Sequence, residues 1–121
     1  MTTAKRNSLI IGDAEVVTDA PVEQRLELGG LTIVRIYPDD EDLGSYPQDS
    51  LNRNVYAYNT LAKLVWQIQE APHGGKGADK AYMDIRVEGD GLVAGNWIGI
   101  DYQVKQESGE VIPLKQWARP W

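Results

Sequence analysis

The side chains best suited to chemistry are few and scattered. His73, the single histidine, sits in a Pro-His-Gly-Gly run. A lone imidazole can serve as a general base or a metal ligand, but the chain holds no second histidine and no cysteine to complete a site, so His73 reads as an exposed loop residue. Gly74-Gly75-Lys76-Gly77 has the composition of a phosphate-cradling loop. It lacks the spacing of the glycines and the Ser or Thr after the lysine that the chemistry requires, and reads as a flexible connector. Asp39-Asp40-Glu41-Asp42 is the densest run of carboxylates. Calcium wants about six to eight oxygen ligands, and this run lacks the alternating pattern and distal glutamate that supply them. It reads as a solvated acidic loop whose field steers a basic partner. Asp84 and Asp101 would make an acid–base pair only in a desolvated cleft, and both fall on outward strand faces. An aromatic platform for a small ligand or sugar is the remaining constellation, built from Trp97 and Asn96 with Tyr82 and Tyr102. No catalytic residue, metal ligand or cofactor site is assigned.

Composition narrows the classes further. The chain has 121 residues, 42% hydrophobic and 25% charged, enough for one domain. Net charge is -6, which argues against a nucleic-acid surface, because that affinity comes from clustered Lys and Arg. Residues 1–60 hold ten acidic and five basic side chains, residues 61–121 eight and seven. The excess therefore lies in the first half. There is no phenylalanine, against four Trp and six Tyr, so Trp and Tyr must supply aromatic core bulk. No apolar run approaches the length of a signal or membrane segment. With the absence of cysteine, this leads to the expectation of a soluble, cytoplasmic protein.

The elements that must position these residues follow period two. In Asn54–Tyr58, Val55 and Ala57 share one face and Tyr56 and Tyr58 the other. Lys63–Gln69 puts Leu64, Trp66 and Ile68 together, and Trp66 is expected in the core. Tyr82–Glu88 predicts Met83, Ile85 and Val87 inward. Ile98, Ile100, Tyr102 and Val104 alternate with Gly99, Asp101, Gln103 and Lys105. Upstream, Ala14–Thr18, Val22–Leu28 and Leu31–Tyr37 read as strands. Gly29-Gly30, Gly89-Asp90-Gly91 and Ser108-Gly109 carry tight-turn chemistry, whereas Thr60-Leu61-Ala62 is a weaker turn. No window predicts a helix. The expectation is an all-β single domain: N-terminal strands over 7–37, an acidic loop over 38–52, hairpins over 53–116 and a tail over 117–121. An antiparallel meander of this kind folds as a sandwich or an open barrel.

The segment Asn54-Val-Tyr-Ala-Tyr-Asn-Thr-Leu-Ala-Lys-Leu-Val-Trp-Gln-Ile68 resembles a blade of the PQQ-like (quinoprotein-type) β-propellers. Asn59 stands where that family usually has Asp, and Ala62 where it usually has Gly. Tyr102-Gln-Val104, running through Glu107-Ser108-Gly109-Glu110 into Val111-Ile112, is a weaker echo. It is offset by 46 residues between Tyr56 and Tyr102 and by 47 between Leu64 and Val111, near the roughly 40–45 of a blade repeat. A propeller needs about four to eight blades, so the resemblance implies two blade-like units and not a closed propeller. It also implies that the motif residues dock one blade on the next rather than bind a quinone. Tyr82–Ile85 and Gly95–Gly99 are similar to elements of small uncharacterised bacterial β proteins.

The functional expectation is a non-catalytic binding protein. Its first form is a protein–protein module of immunity-like size and acidity that meets a basic surface through Asp39, Asp40, Glu41 and Asp42. Its second form is a small-ligand or carbohydrate module using Trp97, Asn96, Tyr82 and Tyr102. The third is a structural or assembly protein that self-associates through sheet edges. The terminal Lys115–Trp121 run, with Trp117 and Trp121, is expected to cover an apolar edge of its own domain, the alternative being to dock on a second copy. Partners in nucleic acid or membrane are not expected.

Overall fold

In the computed structural model, residues 7–72, 80–96 and 99–114 are described. His73, the 74–77 glycine run, Trp97 and the tail over 117–121 lie outside them. The described chain is all-β and antiparallel, with three sheets, none closed into a barrel. Strands β1 (Ser8–Ile11) and β2 (Ala14–Val17) form a two-stranded hairpin. Strands β3 (Val22–Leu28), β4 (Leu31–Ile36), β5 (Val55–Tyr58) and β6 (Leu64–Gln67) form one four-stranded meander. Strands β7 (Tyr82–Glu88), β8 (Gly91–Asn96), β9 (Asp101–Val104) and β10 (Val111–Pro113) form a second. Because β3 and β4 pair on into β5 and β6, residue 53 does not divide N-terminal strands from later hairpins in the fold.

The two four-stranded sheets pack on a shared core. Ile33, Val55, Ala57 and Trp66 come from the first, and Tyr82, Ile85, Leu92, Ala94, Tyr102 and Val104 from the second. The opposite face of the first sheet carries Val34, Ile36 and Tyr58, covered by Leu9 and Ile11 of the β1–β2 hairpin. The alternation of Asn54–Tyr58 thus divides between two cores. Arg25 ties the hairpin down, its Nη1 donating to the Ile10 carbonyl at 2.9 Å.

Glycine makes the tight turns where the backbone requires it. Gly29 and Gly30 both lie at positive φ, 57° and 81°, the requirement of a two-residue hairpin turn matched to strand twist. The weak turn at Thr60–Ala62 closes differently. Ala62 itself takes φ 63°, and the Asn59 side-chain oxygen accepts from the backbone N–H of Leu61 and of Lys63 at 2.9 and 3.1 Å.

Three expectations change. The acidic loop over 38–52 contains two short helices, α1 (Asp40–Leu43) and α2 (Gln48–Asn52). Four- and five-residue helices are too short to show a 3.6-residue period, and their N-terminal acidic residues suit the helix dipole. Leu64 is 56% exposed although Trp66 is buried. A bulge pairs Ala57 with Trp66 but Tyr58 with Leu64, so the face alternation resets at Val65. Met83 is likewise exposed, because the β7–β8 register shifts between Tyr82 and Asp84. Val87, near the end of β7, is also exposed, leaving Ile85 as the buried member of that set.

Candidate functional site

Two side-chain amides join the two four-stranded sheets. Asn54 Nδ2 donates to the Ile36 and Tyr82 carbonyls, both at 2.9 Å, and its Oδ1 accepts from the Tyr82 N–H at 2.9 Å. Gln24 behaves as a strand mimic toward β7. Its Oε1 accepts from the Ile85 N–H at 3.0 Å, and its Nε2 donates to the Ile85 carbonyl at 3.3 Å and to Asp84 Oδ1 at 3.1 Å. The same Oε1 accepts from Arg35 Nε at 2.6 Å. Local sequence offers no sign of either link, since the partners stand 28 and about 60 residues away.

Beside this junction lies a cleft of about 290 Å³ lined by Glu23, Arg35, Tyr37, Pro38, Asp39, Asp40 and Met83. Burial pulls the Arg35 guanidinium below its ordinary pKa, and the charges of Glu23 and Asp84 oppose that shift. Pro38 and Asp39 also wall a second cleft of about 270 Å³, with Asp19, Asp42, Ser45 and Tyr46. Asp19 in turn lines a small cavity of about 60 Å³ with Val17, Ile36, Tyr56 and Tyr58. Pro38 and Asp39 link the first cleft to the second, and Asp19 links the second to the third, so the three run on from the sheet junction to the outer face of the first sheet. Burial raises the phenols of Tyr56 and Tyr58 and pushes Tyr46 up to about 12. The Tyr46 hydroxyl is buried with no hydrogen-bond partner among the described residues.

Six carboxylates are held in ion pairs among the described residues. Asp84, Glu88 and Asp101 all meet Arg86, at 3.1, 2.6 and 2.8 Å, and Glu27, Glu70 and Glu110 pair with Arg25, Lys80 and Lys105. These hydrogen bonds raise the Arg86 pKa, that to Asp101 most. With a guanidinium bridging them, Asp84 and Asp101 form an ion network rather than an acid–base pair. Asp39, Asp40, Glu41 and Asp42 are all exposed, and none forms an ion pair among the described residues. No cluster of three or more potential metal ligands exists among the described residues.

The aromatic platform does not assemble as expected. Tyr82 and Tyr102 are fully buried and meet edge-to-face in the core, ring centroids 6.1 Å apart. Tyr82 spends its hydroxyl on the Gln69 carbonyl at 2.8 Å. With phenylalanine absent, these rings are core bulk and offer no face to a ligand. Asn96 is 6% exposed and shapes the turn after β8, its Oδ1 accepting from the Ile100 N–H at 3.0 Å. Its Nδ2 has no partner among the described residues.

Fold and site together define a small all-β protein of two stacked meanders, with an unpaired acidic rim beside a surface tract. The chain belongs to the family described as Domain of unknown function (DUF7957), whose model matches residues 1–116. No curated protein and no solved structure matches it.

Proposed function

We propose that this chain is a non-catalytic protein-binding module that engages a basic surface of its partner through the segment Asp39–Asp42. One observation carries the reading. Glu27, Glu70, Asp84, Glu88, Asp101 and Glu110 are matched by Arg25, Lys80, Arg86 and Lys105, while these four, consecutive in the chain, stand exposed without an ion pair among the described residues. Unscreened like charge on one rim accelerates encounter with an opposite surface and selects against acidic ones. An immunity-like role, in which a small acidic protein blocks a basic target, suits this arrangement. The lack of cysteine accords with a reducing cytoplasm as the working compartment.

The test is comparative capture from the source cells using the wild-type chain and the variant D39N/D40N/E41Q/D42N. The recovered protein is identified by mass spectrometry and its association is timed by surface plasmon resonance. The expected result is one basic protein, released by added salt, that associates about tenfold more slowly with the variant. Equal on-rates for the two chains, or an acidic partner, would overturn the reading.

A further inference from the structure

The outer face of the first sheet is only partly covered. The β1–β2 hairpin packs Leu9 and Ile11 over Val34, Ile36 and Tyr58. Toward the β5–β6 hairpin the apolar surface continues into solvent. Val17 is 77% exposed and lines the small cavity floored by Tyr56 and Tyr58. Leu64 pairs across the strands with Tyr58 and is 56% exposed, and neighbouring Val65 and Leu61 are also exposed. Isolated exposed apolar side chains need no explanation, but Val17 at the cavity and Leu64 opposite Tyr58 border the same ring, and that marks a contact surface.

Charge decides what can sit there. The cavity shares Asp19 with the adjoining cleft, which brings Asp39 and Asp42 to the same tract. All three carboxylates are exposed and without an ion pair among the described residues. A second copy meeting this face about a two-fold axis would set one acidic rim near another, which is unfavourable. A partner segment carrying an apolar side chain with Lys or Arg beside it satisfies both features.

We infer that the partner seats an apolar side chain, flanked by basic residues, against Val17, Tyr58 and Leu64, with its cations on the Asp19–Asp42 side. This rests on the acidic-rim reading and adds the apolar anchor that gives such an interface its affinity, since surface charge mainly sets encounter rate.

Three capped peptides separate the two ideas: Lys-Lys-Gly-Leu-Gly-Lys-Lys, the same peptide with Ser for Leu, and the Leu peptide with Glu for every Lys. Each is titrated by amide NMR shifts into the full chain and into V17E/L64E, whose exposed sites tolerate charge without unfolding. The Leu peptide is expected to bind about tenfold more tightly than the Ser peptide. It should also move the amides of Val17, Tyr58 and Leu64. In V17E/L64E that preference should vanish while the weaker binding of the Ser peptide persists. Equal binding of the Leu and Ser peptides overturns the anchor and leaves the acidic rim standing. Equal binding of the Lys and Glu versions overturns the acidic rim, and the inference with it, as does binding by neither. A dimer in light scattering that V17E/L64E dissolves would also overturn the inference, because the second copy would then be the occupant.

Discussion

The indole of Trp66 lies against the backbone of Gly109. A Cβ placed on Gly109 would stand 2.8 Å from Trp66 Cε3 and 2.9 Å from Cδ2. Trp66 belongs to β6 and Gly109 to the turn before β10, so this contact joins the two four-stranded sheets. It is secured at both sides: Trp66 Nε1 donates to the Gln106 carbonyl at 2.8 Å, and the Gln69 N–H donates to the Gly109 carbonyl at 3.0 Å.

Gly109→Ala should therefore destabilise the fold by about 2–4 kcal/mol. Gly109 sits at φ 78°, where a side chain costs about 1 kcal/mol. The clash with a buried ring adds about 1–3 kcal/mol of overpacking. Urea unfolding followed by circular dichroism would show a lowered midpoint at nearly constant slope. An unchanged midpoint would mean that the sheets do not depend on this contact.

Ala62→Gly should act in the opposite direction. Ala62 holds φ 63°, strained for any residue with a Cβ, and glycine relieves that strain at some cost in unfolded-chain entropy. A net gain of about 0.5–1 kcal/mol is expected, read as a rise in thermal midpoint. Asn59→Ala should remove the two turn hydrogen bonds of its side chain and lower the midpoint in the same assay.

Much of this architecture is legible along the chain because it is local. The glycine turns at 29–30 and 109, the two faces of Asn54–Tyr58 and the burial of Trp66 all follow from neighbours a few residues apart. Bulges defeat the same reasoning: one extra residue at Val65 or Met83 turns an inward position outward, with no marker in residue type. Tyrosine is ambiguous for another reason. Its ring suits a core and its hydroxyl suits a surface, and only the Gln69 carbonyl opposite Tyr82 resolves which applies. The acidic rim is visible as composition, but its unpaired state is not, because the cations that pair Asp84, Asp101 and Glu70 stand 2 to 15 residues away along the chain.

Asn54 provides a sharper probe of the non-local links. Asn54→Ala would strand the Tyr82 N–H and two carbonyls in a buried setting. The loss should be about 2–4 kcal/mol, given roughly 1–3 kcal/mol for each unsatisfied buried group and some recovery by relaxation. Asn54→Asp keeps the acceptor for Tyr82 but replaces the donors to Ile36 and Tyr82 with a buried carboxylate. It should be at least as damaging at neutral pH and partly recover in acid. Unfolding midpoints across that pH range check both outcomes.

The phenols predict alkaline behaviour. Tyr46 is pushed up to about 12, and burial raises Tyr56, Tyr58 and Tyr82 as well. Their unfolded counterparts ionise near pH 10. Below pH 10 both states keep these protons, so their full contribution to stability is present. Above it the unfolded chain loses protons first, and stability falls as pH rises toward 12 and beyond. Ultraviolet titration should show these tyrosines resisting ionisation until the fold opens, with a steep cooperative step. A gradual titration of all six tyrosines near pH 10 would contradict the burial of this cluster.

Neutralising the acidic rim tests whether its charge is structural. D39N/D40N/E41Q/D42N breaks no ion pair among the described residues, and it relieves repulsion among four adjacent like charges. Stability at low salt should hold or rise, within about 0.5 kcal/mol as for ordinary surface changes, and the gain should fade with added salt. Arg86→Met is the contrasting case. It leaves Asp84, Glu88 and Asp101 side by side without their cation, so it should destabilise by about 1 kcal/mol at low salt, a loss that added salt reduces. Parallel urea melts of the two variants, at low and high salt, distinguish a rim kept for an outside partner from one that holds the domain together. Marked destabilisation of the rim variant would assign those carboxylates to the fold and remove the ground for a partner there.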